Sequence, residues 1–204
     1  FNPAVEFLAK CICKLPVDQH EGAACQDNAA TGEMAEGKVV STDPPYYDNV
    51  PYADLSDFFY VWLRRSLSSL FPRIFSTLAV PKSDELVAFG YRHKDGKIGA
   101  QRFFQDGMFQ TMRKLFGSAN PAFPVTIYYA FKQSETHDSV GTSSTGWEVF
   151  LESVIEAGFS ITGTWPLRSE QATRIRGIGS NALASSIVLI CDKRAENSAV
   201  LSRR

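Results

Sequence analysis

Apolar residues recur along this chain in two rhythms, and the places where one rhythm yields to the other mark out its elements. Val5, Leu8, Ala9 and Ile12 recur at helical spacing and Pro16 stops the run, so residues 1–15 read as a short helix. Residues 17–38 are polar and small, which predicts a loop-dominated connection with 23–26 as a candidate short strand. The β-branched run 38–42 predicts a strand that must end at Pro44 and Pro45, since neither proline can donate to a ladder. A long helix follows. Leu55, Phe58, Phe59, Trp62, Leu63, Leu67 and Leu70 share one stripe, Asp54 and Asp57 suit the first turn, and Pro72 closes it. The stripe reads as core packing, and Arg64 and Arg65 as solvated charges.

Residues 73–99 show no period and predict a long excursion, a kind of loop that is more often functional than idle. A second long helix spans 100–116, with Phe103, Phe104, Met108, Met112 and Leu115 inward and Gly117 at its end. The unbroken apolar run 123–131 predicts a strand buried on both faces. A helix at 146–157 presents Trp147, Phe150, Leu151, Val154 and Ile155, and Gly158 caps it. Strands at 159–165 and 186–191 close the pattern, joined by the polar stretch 166–184. After the first helix the order is strand, helix, helix, strand, helix, strand, strand. That order predicts an α/β protein with a mostly parallel sheet, its final pair a hairpin that adds one antiparallel strand. Residues 1–194 form one domain part and 195–204 a flexible tail.

Composition narrows the function classes. A chain of 204 residues can bury a real core, and its 15 phenylalanines promise heavy apolar burial or a surface that expects a partner. A net charge of -1 excludes a grip on duplex DNA through overall basic excess, so any nucleic-acid contact must be local. Cys11 and Cys13 are too close for a zinc-ribbon pair and no second pair follows; reduced, structural cysteines fit a cytoplasmic setting. His20, His93 and His137 lack ligand spacing, which predicts no metal site. Neither a membrane-length apolar run nor a signal-peptide pattern is present. The first residue is Phe1 rather than methionine, from which a piece of a longer protein is expected.

Chemistry concentrates at Asp43-Pro44-Pro45-Tyr46, immediately after a predicted strand, where ligands collect in open α/β sheets. An exocyclic base amine is a poor nucleophile because its lone pair is delocalised into the ring. Acceptors that take its hydrogen bonds turn it towards an attacking geometry. The Asp43 carboxylate can be one acceptor and the Pro44 carbonyl a second, held rigidly by the paired prolines. Tyr46 offers a face on which an extruded base can stack. The bland alternative is a stiff strand exit with no chemistry. Tyr47, Asp48 and Asn49 can shape the pocket or simply bond within the loop. Arg168, Arg174 and Arg176, beside Asn181, are the best local candidates for a phosphate grip, with an ordinary surface loop as the alternative.

Asp-Pro-Pro-Tyr after a strand resembles the catalytic motif of the N6-adenine and N4-cytosine DNA methyltransferases. The longer string 42–49 (TDPPYYDN), with Thr145-Gly146-Trp147-Glu148, the string 164–170 (TWPLRSE), Arg176-Gly177 and the string 180–186 (SNALASS), is similar to large prokaryotic proteins described as adenine-specific DNA methylases containing a zinc ribbon. That resemblance implies the second half of a Rossmann-like S-adenosylmethionine-dependent methyltransferase fold, acting on adenine N6 of DNA without a covalent enzyme intermediate. It places Asp43, Pro44, Pro45 and Tyr46 in catalysis, with Tyr47, Asn49, Arg168, Arg176 and Asn181 on the substrate, and Asp27 and Asp43 towards the donor. The glycine-rich donor turn and the zinc-ribbon cysteines of that family have no counterpart here, so the resemblance places donor binding upstream and implies that this part alone is inactive. Other readings are a non-catalytic nucleic-acid-binding or assembly module, and the same chemistry on RNA or a protein glutamine amide. The exposed sheet edge of such a half-fold would suit a homodimer.

Overall fold

Which of these periodicities become packed structure depends on how much sheet there is to pack against. The computed structural model describes residues 2–15, 22–33, 36–48, 50–130, 145–167 and 186–195. In chain order these form α1 (Asn2–Ile12), β1 (Ser41–Thr42), α2 (Tyr52–Leu67), a 3-10 turn (Gly90–Arg92), α3 (Gly96–Ser118), β2 (Val125–Tyr129), α4 (Thr145–Glu156), β3 (Phe159–Leu167) and β4 (Ser186–Lys193). The expected order of elements is present. The candidate strand at 23–26 is not; those residues are exposed and irregular.

One four-stranded sheet runs β1-β2-β4-β3. β1 pairs parallel with β2, Ser41 opposite Thr126 and Thr42 opposite Ile127. β4 lies between β2 and β3 and is antiparallel to both. The sheet is therefore mixed rather than mostly parallel. The closing pair does form the expected antiparallel arrangement, but β4 inserts beside β2, so each of its two ladders is antiparallel. The single parallel ladder is short because the prolines at 44 and 45 end β1 after two residues.

Helices α3 and α4 cover one face. Phe104, Met108, Met112 and Leu115 meet Val149, Phe150 and Val154 over Val125, Ile127, Tyr129, Phe159, Leu189 and Cys191. Burying each such side chain contributes roughly 1.5–3 kcal/mol, so this layer is where stability resides. Along β2 burial alternates, and Tyr128, pointing away from the helices, is 37% exposed. The expectation of a strand buried on both faces is thus corrected: among the described residues, helices cover only one. Gly158 takes φ +108 after α4, a left-handed cap as expected. Gly117 does not cap α3, which continues to Ser118.

The long helix α2 departs most from expectation. Its stripe is not core: Leu55, Phe58, Phe59, Trp62, Leu63 and Leu70 are all exposed, and only Ala53 and Tyr60 of the helix are buried. Among the described residues the sheet ends at β1 and no layer faces the stripe. Instead α2 is held by the excursion that follows it. The Tyr60 ring lies 5.4 Å from Phe75 and its hydroxyl donates to the Thr77 carbonyl at 2.9 Å. Arg64, expected in solvent, donates to the Phe75 carbonyl at 3.3 Å. Lys82 pairs with Asp57 at 2.7 Å, and Asp57 also accepts from the Val80 amide. The amphipathic α1 likewise leaves Val5, Leu8 and Ile12 exposed. Among the described residues no helix is long and apolar enough to cross a membrane.

Candidate active site

Asp43 leaves the carboxyl end of β1 and is exposed, while Pro44 behind it is buried. The polypeptide cannot continue the ladder here, so it turns across the end of β2 and brings Tyr46 back to its own motif. The Tyr46 hydroxyl donates to Asp43 Oδ1 at 3.0 Å. Burial, followed by that hydrogen bond and the Asp43 charge, pushes the Tyr46 phenol up to about 12, so it remains a donor at neutral pH. Tyr52, at the start of α2, is also shifted upward, first by burial and then by the charges of Asp43 and Glu85.

Tyr47 is fixed from four sides. Its amide donates to the Tyr129 hydroxyl at 3.4 Å, a long bond, and its carbonyl accepts from the Ala88 amide at 2.7 Å. Its ring meets Phe104 edge-on at 5.0 Å. Gly146 lies against the root of that ring: a Cβ at 146 would come within 2.7 Å of Tyr47 Cβ and Cγ. Tyr129 in turn meets Tyr46 edge-on at 5.3 Å and stacks on Phe150 at 4.1 Å. The motif is thus strapped to β2, α3, α4 and the 73–99 excursion at once.

The excursion also anchors the start of α2. Glu85 accepts from the Ala53 amide at 3.0 Å through one oxygen and from Arg92 at 2.6 Å through the other. Arg92 reaches Asp54 at 2.6 Å and lies over the Phe89 ring at 5.4 Å. Burial opposes the Arg92 charge, but Glu85 and Asp54 outweigh it and hold the guanidinium above its ordinary value.

Of the residues singled out from sequence, Asp43, Pro44, Pro45, Tyr46 and Tyr47 come together, with the exposed Asp48 beside Tyr47. Asn49, Arg168, Arg174, Arg176 and Asn181 lie outside the described residues. Asp27 is not brought to Asp43. It accepts from the Asn28 amide at 2.8 Å in a local turn, and Lys114 bonds that turn at the Thr31 carbonyl. Tyr47 meets α3 at Phe104, ten residues before Lys114, or roughly 15 Å of helix rise. Sequence reasoning missed Tyr129, Phe104 and Ala88. A tyrosine at the carboxyl end of the central strand was the available signal for Tyr129; nothing local marks the other two.

A donor cradle is not found among the described residues. The glycines with positive φ are Gly37, Gly96 and Gly158, and none lies in a turn from a strand into a helix. No group of three His, Cys, Asp or Glu that could hold a metal occurs among them either. No protein-family model, curated protein or solved structure matches this chain.

Proposed function

We propose that this protein is an S-adenosylmethionine-dependent methyltransferase acting on an exocyclic amine of a DNA base, adenine N6 in the first place, built on the second half of a Rossmann-like methyltransferase fold. One observation carries the reading: an exposed carboxylate, Asp43, stands at the carboxyl end of β1 with the Tyr46 hydroxyl bonded to it and a stiff proline pair between them. A carboxylate has about four acceptor positions, so the Tyr46 bond orients Asp43 without using it up. The remaining oxygen accepts from the target amine, and the Pro44 carbonyl is its second acceptor. The Tyr46 ring stacks on the extruded base. On this reading the described residues would supply the target-amine side of the reaction.

The test is transfer of labelled methyl from S-adenosylmethionine to unmethylated DNA by the full-length protein, beside its Asp43→Ala variant. Label in DNA that disappears with Asp43→Ala is expected. A folded, donor-bound protein that leaves DNA unlabelled would overturn the DNA reading, and labelling of RNA or of a protein glutamine amide would replace it.

A further inference from the structure

Tyr129 belongs to the core by burial, being 2% exposed, yet its contacts lead to the motif rather than away from it. It is the last residue of β2, and the parallel register that sets Thr42 opposite Ile127 carries β2 alongside Asp43 and Pro44. Its ring is fixed by Phe150, stacked at 4.1 Å with planes 13° apart, and by Trp147 at 5.5 Å. Against that fixed ring lies Tyr46, at 5.3 Å and 71°. The same residue's hydroxyl accepts from the Tyr47 amide. One side chain therefore supports both the ring that would stack on a base and the peptide that follows it.

We propose that Tyr129 is a positioning residue for the Asp43–Tyr46 site, holding the Tyr46 ring and the Tyr46–Tyr47 peptide so that the Asp43 carboxylate faces the target amine. Its catalytic consequence rests on the methyl-transfer reading; its mechanical part does not. Burial pushes the Tyr129 phenol up, and the amide of Tyr47, which donates to its oxygen, opposes that shift. An edge-on aromatic contact fixes a ring's tilt as well as its place, which a merely space-filling aliphatic side chain would not do. Small displacements at an orienting group cost rate rather than binding.

The experiment is Tyr129→Phe, which retains the ring and removes the hydroxyl, with Tyr128→Phe on the open face as control. Two readouts are taken on the full-length protein. Backbone hydrogen exchange over residues 43–48 needs no substrate: it is expected to speed up in Tyr129→Phe and to stay unchanged in Tyr128→Phe. Methyl transfer to DNA is expected to lose roughly three- to tenfold in kcat, as for one lost hydrogen bond, with KM for DNA unchanged. Unaltered exchange over 43–48 would overturn the positioning role whether or not the protein methylates DNA. A variant that fails to fold, or one that raises KM and spares kcat, would overturn it too, making Tyr129 a core or binding residue. Faster exchange in a protein that labels no DNA would instead leave the positioning intact and defeat the methyltransferase reading.

Discussion

Replacing Gly146 with alanine tests whether the motif is clamped as tightly as its contacts indicate. The new Cβ would fall 2.7 Å from Tyr47 Cβ and Cγ and 2.9 Å from Cδ1. The Tyr47 Cβ is placed by the backbone, so no rotamer change moves it away. The backbone beneath is also held, by Ala88 at 2.7 Å and by Tyr129. Either α4 or the 46–47 peptide must shift, and such overpacking costs about 1–3 kcal/mol. Alanine in a helix returns at most about 1 kcal/mol over glycine, less in a first turn. With about half of that returned in a first turn, the net loss is about 0.5–2.5 kcal/mol, or roughly 1–10 °C in Tm for a chain of this size. Gly107→Ala is the matched control, since its Cβ would meet the tip of Leu86, which can swing aside. Differential scanning calorimetry should show the larger drop for Gly146→Ala. In a Tyr47→Gly background, which removes the Cβ as well as the ring, the Gly146→Ala penalty should vanish, a coupling that a double-mutant cycle measures directly. Additive effects, or a Gly146→Ala protein that melts with the wild type, would refute the clamp.

Other outcomes follow from the same contacts. Arg92→Ala strands the mostly buried Glu85, and removing one partner of such a pair costs about 3 kcal/mol; hydrogen exchange should rise over 52–92 and hardly change over 100–129. Trp62→Lys, on the exposed stripe of α2, should alter unfolding by less than about 0.5 kcal/mol, whereas a core tryptophan would cost several. At acid pH, Arg92 holds Asp54, and Lys82 holds Asp57, below the ordinary 3.8, so their contribution is complete above that value and fades as pH falls below it. At alkaline pH the sign reverses. Burial pushes Tyr46 and Tyr129 up from 10.0 to about 12, so stability is complete below pH 10 and is lost as pH climbs towards 12, visible as a falling urea midpoint.

How far the sequence could be read depended on whether each element found something to pack against. Val125, Ile127 and Tyr129 met two helices, and there the apolar runs translated directly into core. Phe58, Phe59 and Trp62 carry an equally strong helical stripe, yet periodicity reports only that one face is apolar, not that anything covers it. Strand direction was misjudged for a related reason: alternation of helices and strands implies parallel ladders, but the insertion of β4 between β2 and β3 is a long-range choice with no local mark. At the candidate site, the end of β1 was legible because tandem prolines cannot continue a ladder. The supports of Tyr47 were not. Ala88, Phe104 and Tyr129 reach Tyr47 from three separate segments, and no spacing along the chain announces that they converge.

That convergence bears on whether a chain with net charge -1 could manage an extruded base at all. Taking a base out of the stack costs a few kcal/mol. On the proposed function, stacking on the Tyr46 ring would return about 1–3 kcal/mol, and a hydrogen bond from the amine to a carboxylate about 1.5–3. Those gains only just offset the cost, and ordering two loose side chains on binding would consume about 0.5–1.5 kcal/mol each. Here Tyr46 is already set against Tyr129, and Asp43 is already bonded to Tyr46, before any base arrives. The ordering has been done by the fold, at the expense of core residues that hold it. On the proposed function, phosphate contacts would then be needed to place the duplex rather than to supply the energy of extrusion, a task that a few local arginines could perform without a basic chain.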